Sequence, residues 1–277
     1  MAKIVNIKIL NYVKDCGIYA DFFKASCEKF KSGKHNIDYT SIGPNNDSFL
    51  YSSSLCSDSM SQAHALSIGV DWCRATLDKD DIVILADSDI CILRPDWDLH
   101  IIEALEENEV YGFEGNSRIC KKFPSLFFMV FKVELLDKVN FNFFPSYVLG
   151  EDGITHINTV HINTKKMSLV TEAQTKTKIK CDTGWQIPIQ CRQKGIKYNY
   201  LKHVSARSSA SKLPNINKDK KELLGKHPRH YDEWHYNKWL FGTHCQASRA
   251  FDWDSEHTLY WREKINAYTQ KEYGFVI

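Results

Sequence analysis

The stretch DIVILADSDICILRPDWD, residues 81–98, decides how the rest of the sequence is interpreted. Its apolar run, residues 82–86, is typical of a strand buried on both faces of a parallel sheet. Asp87 and Asp89 follow at once, and in an extended chain residues i and i+2 point to the same side, about 6–7 Å apart. Two such carboxylates repel each other unless a cation lies beside them, and Mg²⁺ and Mn²⁺ prefer oxygen ligands. The stretch therefore predicts a divalent metal site, and the alternative is a solvated turn after a strand.

Strands and helices alternate on the N-terminal side of this stretch. Residues 3–10 and 35–42 are expected to be strands, whereas residues 20–30 and 61–77 have the apolar spacing of helices. This pattern predicts an α/β fold with a mostly parallel sheet flanked by helices. In such sheets ligands bind beyond the carboxyl ends of the strands, which is where Asp87 and Asp89 lie.

Composition excludes several classes of protein. With 277 residues, 43% of them hydrophobic, the chain can bury a full-sized core. Its longest apolar stretch, residues 125–133, is far shorter than the roughly 20 residues of a membrane-spanning helix. The N-terminus is too short and too charged for a signal peptide, and nine cysteines without a CxxC pair suit reduced thiols. A cytoplasmic protein without a membrane span is therefore expected.

Charge is distributed unevenly along the sequence. Residues 1–159 contain 15 Lys and Arg against 23 Asp and Glu, whereas residues 160–230 contain 16 against 4. A positive region of this kind attracts phosphate-bearing partners such as nucleotides, nucleic acids or acidic glycans, although a solvated lysine-rich surface would look the same.

The stretch from residue 81 to 98 resembles the DxD segment of nucleotide-sugar-dependent glycosyltransferases of the GT-A fold. The resemblance implies that Asp89 binds Mn²⁺ or Mg²⁺ carried by the donor diphosphate, and that Asp87 contacts the ribose or the metal. It also implies that Asn11 and Tyr12, at the end of the first strand, lie near the nucleotide base. The resemblance extends over residues 1–205, which are expected to form the nucleotide-sugar-binding and catalytic domain. Residues 206–277 are expected to form a small basic and aromatic C-terminal annex packed on that domain.

A second motif, CDTGWQIPIQCRQKGIKYNYLKHV at residues 181–204, resembles the segment of inverting GT-A enzymes in which an acidic pair opens a helix that ends at Lys-Gly. The resemblance makes Asp182 the base that accepts the acceptor proton, with a plain helix N-cap as the alternative. Cys181 stands where Glu is usual, and Pro188 lies within the expected helix. The DxD stretch is equally similar to retaining enzymes of the fold, so the stereochemistry stays open.

Two histidines compete to complete the metal site. By the same resemblance, His203 corresponds to a place where some GT-A enzymes supply a third metal ligand, and His244 to one where others place a metal-binding histidine in a C-terminal loop. An imidazole beside two carboxylates favours Mn²⁺ over Mg²⁺. Arg249 is a candidate for a bidentate phosphate contact.

The resemblance implies transfer of a sugar from a nucleotide sugar, with UDP-sugars favoured, to an acceptor hydroxyl. The acceptor is either a glycan or a modified base in DNA, for which the basic region argues. Two alternatives remain, a phosphohydrolase of the haloacid dehalogenase type, which also places DxD after an apolar strand, and a catalytically silent module that binds sugar nucleotides.

Overall fold

The structure is a computed structural model. It describes residues 4–13, 17–43, 57–115, 122–144, 146–148, 179–181, 183–205, 208–214, 231–245 and 253–277.

The described part of the chain alternates strands and helices over most of its length. The strands are β1 (Asn6–Tyr12), β2 (Asn36–Ile42), β3 (Ile82–Asp87), β4 (Ile90–Ile92), β5 (Val110–Glu114), β6 (Pro124–Lys132), β7 (Ser146–Val148), β8 (Ile179–Cys181), β9 (Lys202–Ser205), β10 (Tyr231–Tyr236) and β11 (Trp239–Cys245). The helices are α1 (Gly17–Phe30), α2 (Ser57–Thr76), α3 (Trp97–Glu107), α4 (Leu135–Lys138), α5 (Gln186–Gln193) and α6 (Glu256–Tyr273).

The main sheet has five strands in the order β2-β1-β3-β6-β5. Strands β2, β1 and β3 are parallel neighbours, whereas β6 is antiparallel to both β3 and β5. The α/β class is therefore confirmed, and the sheet combines parallel and antiparallel strands rather than being mostly parallel. Because β1 and β3 are parallel and in register, their carboxyl ends lie side by side.

Strand β3 is apolar up to its last residue, Asp87, because it is covered on both faces. Ile82, Ile84 and Ala86 belong to a core shared with α1, α3, α6 and the second sheet. Val83 and Leu85 face the other way, into a core shared with α2, α4 and α5. This is the two-sided burial that the continuous apolar run predicts, and it holds the end of β3 firmly between the two cores.

A second sheet has four antiparallel strands in the order β4-β11-β10-β9. It draws on both sides of the expected boundary at residue 205, because β10 and β11 come from the C-terminal annex and pair with β4 and β9. Trp234 of β10 and Trp261 of α6 are fully buried. The annex thus contributes strands and core residues to the structure around the candidate site.

The expected helix after Asp182 begins later than the sequence suggested. Helix α5 starts at Gln186, so Pro188 lies in its first turn, where a missing N–H leaves no hydrogen bond unmade. Gly195, with a φ of 67°, follows the helix as the Lys-Gly stop requires. None of the helices in the described ranges is long and apolar enough to cross a membrane.

Candidate metal centre

The two aspartates of the DxD motif lie at a tight turn that connects the two sheets. Asp87 is the last residue of β3, Ser88 and Asp89 form the turn, and β4 begins at Ile90. The spacing suggested that the two side chains point to the same side of an extended chain, but it is the turn that brings them together. The backbone N–H of Cys245 donates to the Asp89 carbonyl at 2.9 Å, which fixes the turn to β11.

His244 completes a three-residue cluster with these aspartates. It lies on β11 opposite Ile90 of β4, and its Nε2 is 3.0 Å from Asp89 Oδ1. A carboxylate oxygen of Asp87, a carboxylate oxygen of Asp89 and an imidazole nitrogen of His244 all lie within 4.8 Å of one another. Two carboxylate oxygens and one imidazole nitrogen make a set of ligands that suits a small divalent ion, Mn²⁺ more than Mg²⁺.

The charge of the cluster controls the protonation of His244. Burial by itself would lower the pKa of this imidazole, but the carboxylates of Asp89, Asp87 and Asp232 outweigh it and raise the pKa to about 9. In the metal-free protein at neutral pH, a protonated His244 therefore balances the carboxylates. A metal ion can replace that proton, because it binds the neutral imidazole.

Neighbouring side chains hold the ligands in place. Gln62 of α2 donates from Nε2 to Asp87 Oδ1 at 2.9 Å, and Asn11 of β1 donates from Nδ2 to the Asp87 carbonyl at 3.3 Å. The Phe127 ring stacks on the His244 imidazole, with centroids 5.3 Å apart and planes at 6°. Hydrogen bonds and packing of this kind orient metal ligands and tune their affinity.

Sequence reasoning missed Gln62 and Phe127. Gln62 lies 25 residues before Asp87 in a helix whose register against the sheet is set by tertiary packing. Phe127 lies in a largely apolar strand, where it cannot be distinguished from the neighbouring core phenylalanines. Neither carries a local pattern that distinguishes it, so only the fold brings them to the site.

The other sequence-predicted residues divide into three groups. Asn11 and Tyr12 lie beside the site, because β1 pairs them with Ala86 and Asp87. His203 is on β9, where its Nε2 is 2.8 Å from Asp232 Oδ1, and the structure does not bring it into the cluster of Asp87, Asp89 and His244. Asp182 and Arg249 lie outside the described residues, so the base and the phosphate contact stay predictions.

Comparisons with known proteins add little to this geometry. No protein-family model matches the sequence. No curated protein matches it either. A solved structure titled "Crystal Structure of A197 from STIV" aligns with 50% of this chain and 69% of that chain, at 13% identity and a TM-score of 0.30. A likeness of that size carries no argument about fold or function.

Proposed function

We propose that this protein is a metal-dependent glycosyltransferase of the GT-A type. It would move a sugar from a nucleoside diphosphate sugar, with UDP-sugars favoured, to an acceptor hydroxyl. The observation that carries the proposal is the meeting of Asp87, Asp89 and His244 at the carboxyl end of a buried parallel strand. The position is where α/β sheets bind ligands, and the ligand types suit an ion that also binds a diphosphate.

The described side chains divide the work of such a site. Asp87, Asp89 and His244 would hold the ion, and Gln62 would keep Asp87 turned toward it. A bound divalent ion neutralises the charge that develops on the departing nucleoside diphosphate. The ring of Phe127 would prevent the imidazole from rotating away.

Asn11 supports binding of a nucleotide beside the metal. Its side chain is buried, and its Oδ1 has no hydrogen-bond partner among the described residues. A buried amide oxygen without a donor is costly, so a ligand N–H that binds it would be favoured. An N–H on the edge of a nucleobase is such a donor, and Tyr12 next to it would form part of the same pocket, as the resemblance implies.

The proposal is tested by a donor screen. The protein is incubated with Mn²⁺ and a panel of nucleotide sugars, and release of nucleoside diphosphate is measured, with a generic phosphoester assayed in parallel. Turnover of one donor that requires Mn²⁺ is the expected result. Hydrolysis of the phosphoester without turnover of any donor would favour the phosphohydrolase instead.

Two variants make the screen specific. Asp89→Asn removes one charge from the site and should abolish turnover, because the neutral amide is a poor ligand for a hard cation. Asp71→Asn makes the same chemical change on the exposed face of α2, where the side chain is 70% exposed, and should behave like the parent. If no donor is turned over or bound and Asp89→Asn resembles the parent, the proposal fails.

The acceptor needs a separate test. The basic composition of residues 160–230 favours a phosphate-rich acceptor, and a modified base in DNA is one. Binding to duplex DNA that weakens steeply with added salt would support that acceptor. Transfer to an oligosaccharide panel, without DNA binding, would support a glycan.

A further inference from the structure

A second pair of imidazole and carboxylate lies next to the metal centre, in the four-stranded sheet. His203 Nε2 is 2.8 Å from Asp232 Oδ1, and the two side chains come from the neighbouring strands β9 and β10. The carboxylate is buried, with 5% of its side chain exposed, whereas 25% of the His203 side chain is exposed. A buried carboxylate thus lies against an imidazole that is partly exposed.

The strand register places this pair on the same face of the sheet as His244. Asp232 is directly opposite His244, and Trp234 is directly opposite His203. Directly opposed residues share a face, as do residues two apart on one strand. The His203 and His244 rings lie 5.6 and 6.2 Å from Trp234, centroid to centroid. Their strands are separated only by β10, so the two imidazoles are about 10 Å apart.

One carboxylate oxygen of Asp232 lacks the hydrogen bond that a purely structural buried carboxylate would have. Its Oδ1 faces His203, but its buried Oδ2 has no hydrogen-bond partner among the described residues. Buried polar atoms in folded proteins are almost always hydrogen-bonded, so an exception calls for an explanation. A carboxylate with so few donors directs its charge at the neighbouring imidazoles.

We propose that His203, oriented by Asp232, is the general base that activates the acceptor hydroxyl. The inference rests on the proposed glycosyl transfer and names for it a base other than Asp182. His203 accepts the hydroxyl proton on Nδ1, because its Nε2 faces Asp232. The acceptor oxygen then bonds to the anomeric carbon as the bond from that carbon to the β-phosphate oxygen breaks. The electron pair of the broken bond leaves with the nucleoside diphosphate, and the anomeric configuration inverts.

The distance between the metal cluster and the pair of His203 and Asp232 suits the separate roles of metal site and base. The diphosphate would be held at the cluster on β3, the turn and β11, and the base would stand two strands away on β9. A separation of about 10 Å leaves room for the donor sugar between the metal-bound diphosphate and the imidazole. The fully buried indole of Trp234 packs between the two imidazoles and holds them apart.

The test compares two acceptors that differ in whether they have a proton to lose. The donor that the wild-type protein turns over in the screen is supplied with Mn²⁺, first with water as acceptor and then with added azide. In His203→Gln, transfer to water should fall by about 10²–10⁴-fold, the usual contribution of a general base. Transfer to azide should be retained, because this anion attacks without deprotonation. Asp232→Asn should likewise lower transfer to water and spare transfer to azide, and Mn²⁺ affinity should stay unchanged in His203→Gln.

A matched control comes from β10, the strand that also carries Asp232. His235 Nε2 is 2.8 Å from Glu233 Oε2, but the two side chains are only 5% and 0% exposed, so no acceptor can reach this pair. His235→Gln should therefore change the reactions with water and azide by the same factor. The base assignment is overturned if His203→Gln lowers transfer to water and transfer to azide by the same factor, or if it lowers neither. It is also overturned if His203→Gln lowers the affinity for Mn²⁺. If the wild-type protein turns over no donor, the proposed function itself fails, and that failure is visible without any variant.

Discussion

At the scale of single residues, the metal centre depends on the proton that His244 carries when no ion is bound. The carboxylates around it raise its pKa to about 9, well above the ordinary value of 6.5, despite the opposing effect of burial. In the metal-free protein the resulting stabilisation is fully present below about pH 6.5 and is lost as pH rises through about 9. Mn²⁺ competes with this proton, so binding and protonation are coupled.

The affinity for Mn²⁺ should therefore rise with pH. Below the pKa of His244, each unit of pH should strengthen binding by about tenfold, because about one proton must leave. Isothermal titration calorimetry between about pH 6 and 8, in buffers of different ionisation enthalpy, measures both the affinity and the proton released. His244→Gln should bind Mn²⁺ more weakly and without this dependence. A parent protein that releases no proton would show that the ion does not bind His244.

Gln62 is expected to act on the metal through Asp87. Gln62→Leu removes the donor to Asp87 Oδ1 and should weaken Mn²⁺ binding by about 10–100-fold, the typical effect of removing a hydrogen bond that supports a ligand. The same titration, done with Gln193→Leu at the exposed end of α5, provides the control. Equal affinities for the two variants would contradict this role.

The sequence identified the metal ligands better than the side chains that hold these ligands in place. Asp87 and Asp89 stand out because acids directly follow an apolar strand, whereas His244 was one of two histidines between which the pattern could not choose. The choice is made by the pairing of β11 with β4, which no local signal encodes. His203 is instead held by Asp232, an acid that lies among aromatic residues typical of a buried strand.

At the scale of elements, the close approach of β11 to β4 positions His244. Gly242 makes it possible, because a Cβ at this position would lie 2.8 Å from Phe113 Cζ and 2.9 Å from the Cys91 carbonyl oxygen. A carbonyl of the neighbouring strand cannot move without disturbing the ladder. The glycine thus sets the distance between the strand that carries His244 and the turn that carries Asp89.

Gly242→Ala should therefore damage both stability and binding. We expect a loss of about 1–3 kcal/mol in the free energy of unfolding, as is usual for overpacking, together with weaker Mn²⁺ binding. Urea denaturation and titration calorimetry measure the two effects. Gly17→Ala is the control, since no described atom lies within 4 Å of a Cβ there. Parent-like behaviour of Gly242→Ala would mean that β11 can shift without moving the site.

The N-terminal elements were predicted well, and the second sheet was not. Strands β1, β2 and β3 appear close to where the apolar runs placed them, because local burial determines them. Strand β4 has only three residues and pairs with β11, which lies far along the sequence. Such long-range antiparallel pairing depends on the whole fold, so sequence periodicity could not reveal it.

At the scale of the whole molecule, the metal centre joins the two sheets. Asp87 ends a strand of the main sheet, whereas His244 belongs to the second sheet, and only the turn at Ser88 and Asp89 lies between β3 and β4. An ion held by all three ligands would tie these sheets together. Unfolding would have to release it.

Bound Mn²⁺ should consequently stabilise the entire fold. At a free concentration of about 100 times its Kd, the ion should raise the free energy of unfolding by about 2.7 kcal/mol. Chemical denaturation with and without Mn²⁺ measures this difference. Asp89→Asn should show much less stabilisation at the same concentration, and Asp71→Asn should match the parent. Stabilisation of equal size in all three proteins would show that Mn²⁺ acts elsewhere.

The position of β11 late in the chain has a consequence for biosynthesis. Asp89 and His244 are separated by more than half of the sequence. At the usual rate of about 5–20 residues per second, the aspartates leave the ribosome roughly 8–30 s before the histidine. During that interval the nascent chain holds a pair of carboxylates without its imidazole partner. The three ligands come together only when β11 docks on β4, so the metal centre cannot be completed before β11 has been synthesised.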